Sequence, residues 1–307
     1  MFDTLEDPFV NNSVNSENPL YSTHEHEIQY RLKIQRYSSL PCEITVQKVD
    51  YSPLYDKYSR AYENGYNSCF TRRRSTRDGS GTTPESIERS SRRAKIEARK
   101  LATELAPSSL VTFTTRRIYS IPLLLQAWQR FVRSLHAAGV DFQYLAVPER
   151  HPSNPEHLHI HAAYRGHANI KLLRRLWHIA LEAIEGRIVK KTLYGPDAPG
   201  NIDVRRVAAQ SGYKRMRKIA KYIAKYITKD VIVQFNKKRY WPSKGIKLQP
   251  VAIVWLKSLT MPEALHEGLL LMGLINPDGQ PCQHVFNPSD RIAWLAVDPE
   301  KIPDPLF

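Results

Sequence analysis

Hydrophobic positions recur with two different periods along the middle of the chain, and the switches between them mark out the elements. From Glu85, ESIERSSRRAKIEARKLATEL has helical spacing and stops at Pro107. LVTFTT, residues 110–115, is a short β-rich apolar run, which predicts a strand. IPLLLQAWQRFVRSLHAAG then sets Leu124, Trp128, Phe131 and Leu135 on one stripe before a stop at Gly139, which predicts a helix. FQYLAVPE from Phe142 and HLHIHAAY from His157 read as two strands, neighbours in a hairpin whose long turn is HPSNPE. A helical pattern over residues 168–185, a strand at NIDVRRV from Asn201 and a helix from Tyr213, YKRMRKIAKYIAKYITKD, complete the series. Strand, helix, strand, strand, helix, strand, helix suits an α+β domain over about residues 85–248: an antiparallel central sheet of about four to five strands with helices packed on it.

The flanks look different. Residues 1–84 mix Asn, Ser, Tyr and Pro with little sustained periodicity and finish in TRRRSTRDGSGTTPE, which predicts a loosely ordered arm. Residues 249–307 hold one amphipathic stretch near EALHEGLLLMGLI and end in Pro-rich coil, an extension without any chemical signature. No internal repeat is visible, and no GxxxxGK[ST] occurs, so an on-board ATP-driven helicase is not supported. The first thirty residues lack the basic start and apolar stretch of a signal peptide, and no run of 18 apolar residues appears, so the expected location is the cytoplasm, without membrane partners. Cys42, Cys69 and Cys282 are too far apart for a CxxC pair and read as reduced thiols.

Charge narrows the class of partner. Lys and Arg total 45 against 30 Asp and Glu, a net charge of +15, which favours a polyanion. The cations are clustered. The helix from Glu85 carries Arg89, Arg92, Arg93, Lys95, Arg99 and Lys100, and Tyr213 to Lys229 holds seven Lys or Arg and no acid. Arg92, Arg93, Lys214, Arg215, Lys218 and Lys221 are the candidate DNA contacts.

Two clusters carry candidate chemistry. In HLHIH, His157, His159 and His161 alternate with Leu158 and Ile160, so a strand presents all three imidazoles on one face. Glu149, at the end of the preceding strand, faces the same surface if the hairpin forms. Two imidazoles and one carboxylate, without a thiolate, suit Mg²⁺ or Mn²⁺ acting as a Lewis acid. His24-Glu25-His26-Glu27 repeats the alternation but lies in the irregular arm, with no convergent partner. In the last helix, Ile219, Ala220, Ile223, Ala224 and Ile227 share one face and Lys214, Lys218, Lys221, Lys225 and Lys229 the other. Tyr222 and Tyr226, four apart, fall between the two faces with their hydroxyls one above the other. A phenol with a pKa of about 10 is a poor nucleophile at neutral pH, and adjacent ammonium groups plus a metal that polarises the phosphate would supply the help its attack on phosphorus needs.

LVTFTT, Glu149 ahead of HLHIH, and KYIAKYITK together resemble the three ordered motifs of rolling-circle replication initiators in the HUH endonuclease superfamily, closest to the two-tyrosine branch with a YxxKYxxK pattern. RRAKIEARKLATEL, AWQRFVRSL, NIDVRRV and RYWPSKGI also look like that family, so the resemblance covers about residues 85–247. It implies an RRM-like palm fold, with Glu149, His159 and His161 as metal ligands and His157 as flank. It further implies that one tyrosine attacks the scissile phosphate of a single-stranded or hairpin origin, leaving a 5′-phosphotyrosine and a free 3′-OH, and that the second lets the strands be rejoined. Lys225 and Lys229 would steady the phosphate or the phenolate, and Tyr226, in the KYxxK core, is favoured as first nucleophile. A host helicase and single-strand binding protein are the implied partners. Two alternatives stay open: a two-tyrosine transposase, whose cysteine-rich zinc module is absent here, and a non-catalytic DNA-binding repressor.

Overall fold

The computed structural model describes residues 28–38, 40–50, 83–118, 120–151, 154–166, 169–188, 192–206, 212–229, 239–271, 284–287 and 292–296. It is an α+β fold with two antiparallel sheets. The chain splits into two compact units: Met1–Lys33, Ile44–Thr71 and Ile253–Leu295 form one, and Ile34–Glu43, Arg72–Ala252 and Ala296–Phe307 the other.

The second unit contains helix α1 (Pro84–Leu105), β3 (Ser109–Thr115), α2 (Ile121–Ala137), β4 (Gln143–His151), β5 (Asn154–Arg165), α3 (Ile170–Ile184), β6 (Gly200–Arg206), α4 (Gly212–Lys229) and the two-residue β7 (Trp241–Pro242). From β3 to α4 this is the order read from the sequence. Side-chain caps set the helix starts. Thr83 accepts from the Ser86 amide, Ser120 from Leu123 and Asn169 from Lys171, each satisfying a donor that the first turn leaves without an intrahelical partner.

The strands run in the order β6-β3-β5-β4-β7, so the histidine strand β5 is central. One face of this sheet packs against α2 and α3. Leu124, Trp128, Phe131 and Leu135 are all buried there, as the stripe requires, together with Trp177 and Leu181 of α3. Phe113 of β3 is the hub: its ring lies 5.1 Å from Trp128, 5.1 Å from Phe131 and 5.3 Å from Trp177, all edge-on. Phe113→Ala is therefore expected to destabilise this unit by about 3–5 kcal/mol, read as a fall in the urea midpoint. An unchanged midpoint would show that Phe113 contributes nothing measurable to the stability of this unit. Gly200, where β6 begins, permits a close approach: a Cβ there would stand 2.1 Å from the Thr114 carbonyl oxygen.

The opposite face packs on α1 and α4, through Ala98, Leu101, Ala102 and Leu105 from the first and Ile219, Ala220, Ile223 and Ile227 from the second. The apolar face expected for α4 is thus the buried one. Two cations of α1 are engaged internally. Arg99 forms a two-pronged ion pair with the buried carboxylate of Glu43, and Lys100 donates to Gln35.

The hairpin turn is shorter than expected, because β4 continues to His151 and β5 restarts at Asn154, inside the segment read as loop. Pairing satisfies the backbone there in spite of the nearby prolines.

A larger correction concerns the flanks. Residues 28–50, expected to belong to a loose arm, form β1 (Ile28–Tyr37) and β2 (Leu40–Asp50). The expected featureless extension supplies β8 (Ala252–Leu256), helix α5 (Met261–Leu271), β9 (His284–Asn287) and β10 (Ile292–Ala296). These strands form a second sheet in the order β8-β1-β2-β10-β9. The signal was present in IQYRLKIQRY, where Tyr30, Leu32 and Ile34 are buried at period two. One of its neighbours is the adjacent β2, but the other, β8, lies far along the chain, and β2 is flanked by the equally distant β10, so local pattern alone does not reveal the sheet. In α5, Gly268 lets the helix settle on the sheet, since a Cβ would meet Leu32 at 3.2 Å. The pair of alternating histidines and glutamates at 24–27 lies outside the described residues. Among the described residues, no helix is long and apolar enough to cross a membrane.

Candidate functional site

Strand register assembles the site. Asn201, Thr114, His159 and Glu149 stand in one cross-strand row over β6, β3, β5 and β4. The next row is Asp203, Thr112, His161 and Val147. The third is Arg205, Leu110, Ala163 and Leu145, where the face becomes apolar under α1 and α4. Residues two apart on a strand share a face, so the polar rows and the apolar row belong to one surface. The site is the end of that surface which the helices leave polar.

His161 is its centre. The side chain is buried, with Nε2 2.7 Å from Glu149 Oε2 and Nδ1 3.1 Å from Thr112 Oγ1, so both ring nitrogens are engaged whichever carries the proton. The ring stacks on Tyr226 of α4, centroids 3.9 Å apart and planes at 14°. Tyr226 in turn donates a hydrogen bond to the hydroxyl of Tyr222, whose ring meets it edge-on at 5.0 Å.

The two tyrosines differ in setting. Tyr226 is 8% exposed and Tyr222 39%. Both were expected between the buried and cationic faces of the helix, but Tyr226 belongs to the buried side because His161 gives its ring a flat partner. Burial first, then the hydrogen bond and charge of Tyr222 and the carboxylate of Glu149, push the Tyr226 phenol well above its ordinary range, while Arg205 opposes the shift.

His159 stands directly opposite Glu149 on β4, but its ring turns towards His151, 4.7 Å away, and lies 6.3 Å from the ring of His161. Burial, then the adjoining His151 and His161 rings, pull its imidazole down to about 4, so it is neutral at pH 7 and keeps a lone pair to offer. Among the described residues, no three His, Cys, Asp or Glu side chains converge as a ready ion cage. Of the expected ligand set, Glu149 and His161 are together, and the His159 ring lies beside His151, 6.3 Å from that of His161. The donor types, one carboxylate and two imidazoles without a thiolate, are compatible with Mn²⁺ or a borderline divalent cation: a buried carboxylate beside a buried imidazole, and a second imidazole held neutral on the same face. His157 is half-buried at the outer end of the strand.

The expected cations are less tightly gathered. Lys218, Lys221 and Lys225 are exposed along α4, whereas Arg215 is half-buried with its Nε unpartnered. The side chains of Lys214 and Lys229 lie outside the described residues. On α1, Arg93 is exposed, and Arg92 is exposed with an ion pair to Glu88 at 2.7 Å.

Sequence reasoning missed Thr112, His151, Asp203 and Arg205. His151 lies two residues beyond Glu149 with its ring 4.7 Å from that of His159, but the prolines of HPSNPE predict a loop there. The other three become neighbours of His161 and the tyrosines only through the pairing of β3 with β5 and β6. No family model, no curated protein and no solved structure matches this chain.

Proposed function

We propose that this chain is a rolling-circle replication initiator that cuts single-stranded origin DNA through a tyrosine and later rejoins the strands. The reading is carried by one observation: a tyrosine pair from α4 meets a carboxylate–imidazole pair from β4 and β5, with Tyr226 stacked on His161 and the two hydroxyls joined. A nucleophile pair beside divalent-metal donors on a strongly basic chain is the equipment of phosphoryl transfer.

In the reaction, a tyrosine oxygen forms a bond to phosphorus as the bond from phosphorus to the 3′ oxygen breaks. The phenolic proton ends on the released 3′ oxygen, leaving a 5′-phosphotyrosine and a free 3′-OH. Access favours Tyr222 as first nucleophile, reversing the order suggested by the KYxxK core: the residue is 39% exposed, while Tyr226 is 8% exposed. Tyr226 holds the Tyr222 oxygen in place by donating to it, and is the candidate for the second cut. A divalent cation bound by Glu149, His159 and His161 would withdraw charge from a phosphate oxygen. Lys225 and Lys229 remain the proposed phosphate contacts on the helix itself, with Arg92, Arg93, Lys214, Arg215, Lys218 and Lys221 following the strand. Unwinding would come from a separate helicase, with single-strand binding protein.

The test is covalent capture. Purified protein with Mn²⁺ and a randomised pool of hairpin-bearing single-stranded oligonucleotides should yield a protein–DNA adduct, mapped by mass spectrometry to Tyr222 or Tyr226. Tight DNA binding without any adduct would instead support the repressor reading.

A further inference from the structure

We infer that Arg205, on β6, is a catalytic residue that grips the scissile phosphate beside the tyrosine pair. The inference rests on the proposed nicking reaction and adds to it a group that neither tyrosine helix nor histidine strand contains.

Three observations lead to Arg205. The first is register. Arg205 pairs with Leu110 and Asp203 with Thr112, so the two β6 side chains stand on the face that carries His161, and Thr112 is the residue hydrogen-bonded to His161. The second is charge complementarity: the Arg205 guanidinium stands near enough to Tyr222 and Tyr226, the pair whose hydroxyls meet, to favour their phenolate forms. The third is availability. Its side chain is 70% exposed, and Asp203 Oδ2 accepts from Nε at 2.9 Å. Among the described residues no hydrogen bond occupies Nη1 or Nη2, the two groups that a guanidinium turns towards a pair of phosphate oxygens. Two other arginines of this unit are committed elsewhere: Arg99 to Glu43, and Arg117 to Glu182 at 2.6 Å and Glu185 at 3.1 Å.

The arrangement has a chemical logic. A phosphodiester carries one negative charge, and attack by a phenolate-like oxygen concentrates a second on the oxygens around phosphorus. A guanidinium held by its Nε, with two N–H groups directed outward, meets that charge with little reorganisation, which is the condition under which a fixed donor contributes most. Asp203 is then a positioning residue that sets the plane of the fork. The α4 lysines, by contrast, are mobile point charges suited to holding the strand wherever it runs.

The experiment is single-turnover adduct formation at saturating DNA with Mn²⁺, using oligonucleotides enriched from the randomised pool by the wild-type protein. Arg205→Ala is expected to slow adduct formation by about 100-fold, the loss typical of one transition-state donor, while DNA affinity changes little. Arg205→Lys should recover only part of the rate, because an ammonium cannot span two oxygens, and added guanidinium ion should partly rescue Arg205→Ala but not the wild type. An Arg205→Ala rate equal to wild type, or a deficit that vanishes when DNA concentration is raised, would overturn the inference while leaving the nicking reaction standing. Failure of the wild-type protein to form any adduct would overturn both.

Discussion

Replacing both Tyr222 and Tyr226 by phenylalanine is expected to remove all covalent protein–DNA adduct while leaving DNA binding near the wild-type level. The substitution deletes only the oxygens. The Tyr226 ring keeps its stack on His161 at 3.9 Å, and its place among Ile219, Ile223 and Ile227, so the helix has no reason to shift. The single substitutions should differ. Tyr222→Phe removes the hydroxyl of the more exposed tyrosine and is expected to lose most of the first cut, with residual adduct on Tyr226. Tyr226→Phe removes the hydrogen bond that holds the Tyr222 oxygen, so adduct on Tyr222 should persist at a reduced rate, and rejoining of a second strand should suffer more. The readout is mass spectrometry of trapped adduct from each variant. Adduct surviving in the double variant would transfer the nucleophile to another residue and overturn the proposed reaction. Equal loss from either single variant would show that the two oxygens act as one unit.

Chelation, or loss of the imidazole pair through His159→Ala with His161→Ala, is expected to abolish cleavage. The two imidazoles do not contribute in the same way. His161 also supports the fold, since it is buried, bonded to Glu149 and Thr112, and stacked on Tyr226; its removal alone would confound metal loss with local collapse. His159→Ala is the cleaner probe. Its ring makes no such stack on α4, and its neutral state at pH 7 is what a ligand requires. Mn²⁺ should raise the thermal midpoint of the wild-type protein, because an ion that binds only the folded state stabilises it by mass action, and His159→Ala should lose that rise. His157→Ala should keep both the rise and the cleavage. Full cleavage in EDTA would exclude the metal role, and a thermal rise retained in His159→Ala would remove that residue from the ligand set.

Much of the fold around the site could be read from local pattern, because each of its elements carries its own period. The Leu124, Trp128, Phe131 and Leu135 stripe and the Ile219, Ile223 and Ile227 stripe both proved to be buried faces, and a helix face needs only its own residues to be recognised. Alternation in HLHIH likewise put His159 and His161 on one side of a strand before any partner was known. The second sheet had no such advantage. Strands β1 and β2 pair with segments beyond residue 250, and neither the identity of a distant partner nor its register is written in a ten-residue window.

By itself, then, the sequence determined the α+β order from β3 to α4, the buried faces of its helices, the basic character of α4 and the residue types able to do phosphoryl chemistry. Tertiary structure decided how those types meet. Pairing of β4 with β5 set Glu149 opposite His159, while its carboxylate hydrogen-bonds His161. Packing of α4 on the sheet divided two near-equivalent tyrosines into a buried one and a more exposed one, and β6 placed Arg205 on the sheet face that carries His161. Periodicity is a property of neighbours along the chain and survives in the sequence. Which tyrosine is more exposed, which nitrogen is bonded and which cation stands beside them depend on contacts between residues tens of positions apart, and these exist only once the chain is folded.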